Sequence, residues 1–157
     1  RVYRLWCRNN RGLAEHGRVH MIGHSLGSAM ALEVLSNQPT TVPRLDLTRK
    51  EPETRFFEFD TKNLFLAGSP AGFFLLLERG TLMPRHGRTK PGADPSDIVS
   101  RDVVAEAGTF GCLAVDNIYN ILAKEDPIAY LLNGAVDPVY AASLKKAFVP
   151  NISGSLW

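Results

Sequence analysis

An α/β domain, a parallel sheet joined by crossover helices, is the fold class this sequence predicts, on three observations. Short β-branched and apolar runs alternate with helical patterns in the order strand, helix, strand, helix, strand, helix. The early runs close on glycine or proline, where a strand must turn. Across 157 residues, 45% are hydrophobic and 22% charged, which supports one folded domain with a core of its own.

The first strand is the run Arg18-Val19-His20-Met21-Ile22, which stops at Gly23. A helix follows, because Leu26, Ala29, Met30, Leu32 and Val34 recur at helical spacing until Ser36-Asn37-Gln38-Pro39 ends them. Residues 39–60 turn to Thr, Pro, Arg, Lys and Glu without periodicity and read as an exposed connection. Asn63-Leu64-Phe65-Leu66-Ala67 is the second strand, closed by Gly68-Ser69-Pro70, and Gly72 to Leu77 continues as a short helix. Residues 80–111, with many Gly, Pro, Arg and Asp, read as a long exposed loop, functional or mobile. Val115 to Leu122 is the third strand, and the chain leaves it at Ala123-Lys124-Glu125-Asp126-Pro127. A last helix is expected over Pro138 to Lys146, with Asp137 as its N-cap and proline at its first position. The chain runs from Arg1 to Trp157, so residues 1–157 read as a partial domain, incomplete at both ends.

Composition excludes several functions. A net charge of +2 is no surplus for neutralising phosphates, so nucleic acid is not an expected partner. The two cysteines, Cys7 and Cys112, lie far apart without metal-ligand spacing and are expected to be reduced. The longest apolar run, Phe73 to Leu77, is far short of the roughly 20 residues of a spanning helix, so the chain is expected to be soluble or peripheral to a membrane.

Chemistry enters at Gly23-His24-Ser25-Leu26-Gly27, a Gly-x-Ser-x-Gly pentapeptide between a predicted strand and a predicted helix. Such a turn forces the serine into a strained backbone, and glycine on both sides lets strand and helix pass closely. Ser25 is the expected nucleophile of an α/β-hydrolase-like domain. Its hydroxyl needs a base within hydrogen-bond reach, and the Leu26 N–H at the helix start is the expected oxyanion donor. His24 neighbours the nucleophile but points away from it in this kind of turn, so a packing or hydrogen-bonding role is expected.

Asp126 follows the third strand, 101 residues after Ser25 (126 minus 25), at the sheet edge where a triad acid belongs. The alternative for an Asp before Pro is a plain turn. Three blocks now stand together: Val19-His20-Met21-Ile22-Gly23-His24-Ser25-Leu26-Gly27-Ser28; Leu64-Phe65-Leu66-Ala67-Gly68-Ser69-Pro70-Ala71-Gly72-Phe73-Phe74; and Asn117-Ile118-Tyr119-Asn120-Ile121 with Asp126-Pro127-Ile128-Ala129-Tyr130. In order and spacing they resemble the DDHD-domain intracellular phospholipases, the phosphatidic-acid-preferring phospholipases of the A type, with fungal-like loops.

That resemblance implies a serine phospholipase acting on glycerophospholipid acyl esters, with Ser25 and Asp126 in its triad. It also implies a cytoplasmic enzyme bound peripherally to secretory-pathway or mitochondrial membranes. Two departures matter. Ala123-Lys124-Glu125 stands where the family has a His-Pro-aromatic run, and no histidine follows Asp126, where the family carries its base. His16, His20, His24 and His86 all precede it, and His86 reads as a solvated loop histidine. The base is therefore expected outside this chain. A rival class is a phospholipid-binding or trafficking module without catalysis. No cofactor is expected, and no metal, because the histidine part of the family's suggested metal site is absent.

On the substrate side, Phe73 and Phe74 open an apolar run that would line an acyl channel or simply belong to the core. Arg85 and Arg88, with Arg79 and Lys90, would meet a phosphate head group or an anionic bilayer, or form a solvated loop. The oligomeric state is open.

Overall fold

The computed structural model describes residues 1–10, 12–38, 45–51, 56–78, 82–84, 112–136, 141–143 and 145–149. Its centre is a small open parallel sheet of β1 (Val19–His24), β2 (Thr61–Ala67) and β5 (Val115–Ile121) in the order β1-β2-β5. Two further short strands, β3 (Met83–Pro84) and β4 (Cys112–Leu113), pair parallel beside it. The expected α/β class with parallel strands is thus observed. The register puts His24, Ala67 and Ile121 level at the carboxyl ends, so the three chains leave the sheet at one edge.

Helix α3 (Leu26–Ser36) returns from β1 across one face, and α4 (Ala71–Leu77) returns from β2. Leu32 and Leu35 of α3, Leu64 and Leu66 of β2, Leu75 of α4, Leu113 and Val115 are all fully buried together. Each such side chain contributes about 2 kcal/mol of transfer free energy, so this cluster holds the helices on the sheet. Of the apolar residues whose spacing announces α3, Leu26, Ala29, Met30, Leu32 and Val34, only Leu32 is fully buried. Ser28, Ala31, Leu32 and Leu35 face the core, whereas Leu26, Met30 and Val34 are exposed. Two apolar stripes are interleaved in this helix, and periodicity alone does not say which one meets the sheet.

The opposite sheet face carries polar and apolar rows. Asn63 exchanges hydrogen bonds with His20 and Asn117, each at 2.9 Å, and Phe65 stacks on Tyr119 with ring centres 4.9 Å apart. Ile22, in register with them, is 74% exposed.

Two helices that the periodicity does not announce precede the sheet: α1 (Val2–Asn9) and α2 (Leu13–His16). The residues α1 buries are Arg4 and Cys7, not an apolar stripe, and Val2, Leu5 and Trp6 lie exposed. Arg4 forks onto both oxygens of Glu58, at 2.6 and 2.7 Å, and donates to the carbonyls of Arg49 and Asp46. Such a planar fork is what guanidinium offers and ammonium does not. Cys7 is an unbridged thiol, and burial, then its hydrogen bond with Tyr3, pushes the Tyr3 phenol up to about 12.

The connection 39–60 is not exposed throughout. Phe57 and Phe59 stack at 4.7 Å and are half-buried, with Tyr3 against Phe59; residues 39–44 and 52–55 lie outside the described residues. The helix expected over 138–146 is not found where the chain is described. Residues 141–143 form a turn and 145–149 have no regular structure, while a four-residue helix, α5 (Asn133–Val136), comes earlier. The physical reason lies in burial: of the described residues in 138–146, Ala142, Ser143, Lys145 and Lys146 are exposed and none is fully buried. Local cap chemistry without a buried apolar face does not hold a helix.

Candidate functional site

At the carboxyl edge of the sheet Ser25 has φ 50° and ψ −128°, the only non-glycine residue at positive φ among the described residues. That region costs an L-residue of order 1–3 kcal/mol and persists only where the surroundings impose it. Here they do. The Ser25 N–H donates to the Ala67 carbonyl of β2 at 2.9 Å, and the Ser25 carbonyl accepts from the Ser28 N–H at 3.0 Å and the Ser28 hydroxyl at 2.5 Å. Leu26 is the first residue of α3, so its N–H has no partner within the helix.

The two flanking glycines differ. A methyl group on Gly23 would sit 2.6 Å from the Ser28 Cα, backbone against backbone, whereas one on Gly27 would meet nothing within 4 Å. The expected need for glycine therefore holds for the packing at position 23 and not at position 27. Gly23→Ala is expected to destabilise by about 3 kcal/mol, because strand and helix must separate. Gly27→Ala should be neutral to stabilising, by up to about 1 kcal/mol, because it trades helix-weakening glycine for alanine. Urea-unfolding midpoints read both, and a Gly27→Ala midpoint as low as that of Gly23→Ala would show position 27 to be packed.

Asp126 lies half-buried in the loop after β5. Its Oδ1 accepts from the Ile128 N–H at 2.9 Å and the Ala129 N–H at 3.3 Å, an arrangement that fixes the carboxylate plane. The turn expected of an Asp before Pro is thus formed, through Oδ1. The other oxygen faces Gly68, which has φ 54°; a methyl group there would stand 3.0 Å from Asp126 Oδ2 and 4.0 Å from His24 Nε2. The tertiary structure brings Asp126 and His24 to the same glycine, directly after the strand neighbouring Ser25. His24 itself is exposed at this edge.

The loop is braced beyond Asp126. Tyr130 donates its N–H to the Ser69 carbonyl at 3.1 Å, and its own carbonyl accepts from the Asn120 side chain at 2.9 Å. Phe73 packs on Tyr130 with ring centres 6.2 Å apart and is half-exposed beside this loop, whereas Phe74 is more buried; Leu76 and Leu77 are exposed and Leu75 is core. The apolar run thus divides by helix face. Arg85 and Arg88, like His86, lie outside the described residues. Ser28, Gly68, Ser69 and Tyr130 carry the local geometry although sequence reasoning gave them no roles; the Gly-Ser-Pro turn after an apolar strand was the signal that could have pointed to Gly68 and Ser69.

Among the described residues, no three His, Cys, Asp or Glu side chains gather as metal ligands. No helix among them is long and apolar enough to cross a membrane.

Comparison with known proteins adds the following. The family model of the DDHD domain matches residues 57–157. A protein of Saccharomyces cerevisiae named as a probable mitochondrial phospholipase is 29% identical over 137 residues, 87% of this chain and 15% of that protein. One of Schizosaccharomyces pombe, named likewise, is 27% identical over 135 residues, 83% of this chain and 15% of its own length. The chain therefore spans about 15% of the length of these curated relatives. No solved structure matches it.

Proposed function

The chain belongs to the DDHD-domain family, and from that premise we propose that it carries the nucleophile and the acid of a serine phospholipase cleaving glycerophospholipid acyl esters. One observation carries the reading: a strained serine between a parallel strand and a helix, at the sheet edge where a carboxylate keeps one oxygen open.

In the proposed reaction Ser25 Oγ attacks the acyl carbonyl and gives up its proton to a histidine. The Leu26 N–H donates to the oxyanion as the carbonyl becomes tetrahedral. Asp126 Oδ2 accepts from that histidine's other ring nitrogen, fixing its tautomer and balancing its charge. The histidine comes from outside these 157 residues, because the order in α/β-hydrolases is serine, acid, base and none follows Asp126. Collapse of the tetrahedral intermediate breaks the ester bond, and the histidine returns its proton to the departing lysophospholipid. Water, deprotonated by the same base, then attacks the acyl-enzyme, releasing the fatty acid and restoring the Ser25 hydroxyl. Phe73, with Tyr130 beside it, offers the acyl chain an apolar wall next to the site. The domain approaches a membrane surface peripherally, and the names of its relatives favour a mitochondrial one.

A fluorophosphonate probe tests this on the complete protein. The expected result is one labelled serine, mapped by mass spectrometry to the peptide containing Gly23–Gly27, with labelling blocked by phospholipid vesicles. An unlabelled, folded protein that still binds those vesicles would sink the enzyme reading and leave a lipid-holding module in its place.

A further inference from the structure

Below the candidate nucleophile two serines are completely buried, Ser28 of α3 and Ser69 of the turn after β2, and their hydroxyl oxygens are 2.6 Å apart. The direction of each hydrogen bond follows from donor and acceptor chemistry. A carbonyl only accepts, so the Ser28 hydroxyl gives its one proton to the Ser25 carbonyl at 2.5 Å. With that proton used, Ser69 must be the donor to Ser28. Ser69 accepts in turn from the Ala71 N–H at 3.0 Å. The result is a directed relay from the first residue of α4, through Ser69 and Ser28, to the carbonyl of Ser25.

Its end point is the peptide unit that matters most. In a trans peptide C=O and N–H point in opposite directions, and none of the described peptide bonds is cis. The Ser25 carbonyl and the Leu26 N–H belong to one such plane. Drawing that carbonyl inward, with the Ser28 N–H at 3.0 Å as a second donor, turns the Leu26 N–H outward. We propose that Ser28 and Ser69 are positioning residues that orient the Leu26 N–H as the oxyanion donor, by clamping the carbonyl of the strained Ser25 from below. This rests on the serine-hydrolase reading above. The same relay couples the donor to the acid's side of the site, because Ser69 also accepts the Tyr130 N–H through its carbonyl.

A hydroxyl that merely stabilises α3 would affect folding and leave turnover alone. Ser36, 2% exposed in the same helix, has its hydroxyl on the Leu32 carbonyl at 2.8 Å and provides that control. The experiment uses the complete protein, with active sites counted by fluorophosphonate so that misfolded molecules do not enter kcat. Ser28→Ala should lower kcat about 10- to 100-fold with KM within twofold, approaching the loss of a whole oxyanion donor. Ser69→Ala, which leaves Ser28 in place but unsupported, should lower kcat about 3- to 10-fold. Ser36→Ala should leave kcat unchanged whatever it does to the melting temperature.

Ser69→Ala also decides the matter should Ser28→Ala fail to fold. Wild-type kcat in a labelled Ser69→Ala protein, or an equal fall in Ser36→Ala, would overturn the relay while leaving the hydrolase intact. A wild-type protein that the probe does not label would remove the hydrolase reading, and this inference with it.

Discussion

Ser25→Ala in the complete protein is expected to lower phospholipid hydrolysis by about 10⁶-fold, the scale seen when a serine hydrolase loses its nucleophile, with fold and vesicle binding retained. The residual rate would come from the oxyanion donor and from substrate positioning. Stability should respond differently, because the backbone of residue 25 and its side-chain chemistry are separable. Alanine occupies φ 50°, ψ −128° no more easily than serine, so Ser25→Ala should melt close to wild type. Ser25→Gly should lose activity to the same extent and gain stability. Relief of about 1–3 kcal/mol of strain, less about 0.5–1 kcal/mol for glycine's greater freedom in the unfolded chain, leaves about 1 kcal/mol net. Calorimetry beside a radiolabelled-lipid assay separates the two effects. A Ser25→Gly protein less stable than Ser25→Ala would show that the strain has been misread, and a Ser25→Ala protein hydrolysing at the wild-type rate would place the nucleophile elsewhere.

Asp126→Asn is expected to be the next most severe, at about 10⁴-fold in kcat with the fold intact. The geometry makes this substitution unusually clean. The Ile128 and Ala129 N–H groups need an acceptor, and the amide oxygen of asparagine supplies one in place of Oδ1. The amide NH₂ then replaces the open oxygen facing Gly68. A donor now meets the ring nitrogen of the histidine supplied from outside these 157 residues, which should itself donate, and that imidazole is left in the wrong tautomer. Asp126→Ala would remove the turn bonds as well and should cost stability in addition to rate. Circular dichroism beside the kinetic assay checks both. An Asp126→Asn protein at near wild-type turnover would reduce Asp126 to the turn that its position before Pro127 already suggests.

How far the sequence carries the argument varies from one residue to the next. β1, β2, β5 and α4 were legible within two residues, because short apolar runs closed by Gly23 or by Gly68-Ser69-Pro70, or left at Pro127, leave few other solutions. The strained backbone at Ser25 was legible for the same reason, since a strand running directly into a helix within five residues requires it. Much less legible were α1, which buries an arginine, and the stretch 138–146, where Asp137 and Pro138 promised a helix and the described residues 141–143 form a turn and 145–146 have no regular structure. Local signals propose such elements; burial against a partner decides them.

The sequence by itself thus determined the α/β class, the three long strands in their order along the chain, the serine at the turn and the carboxylate after the last strand, all of which depend on neighbours in the chain; it did not announce β3 and β4. Tertiary structure alone decided which stripe of α3 meets the sheet, that Gly23 is packed and Gly27 is not, that Asp126 and His24 converge on Gly68, and that Ser69 supports Ser28 across 41 residues. Those are contacts between distant segments. They arise when parallel strands are brought level and their carboxyl ends share one edge, an arrangement encoded in the packing of the whole domain and not in any single run of residues.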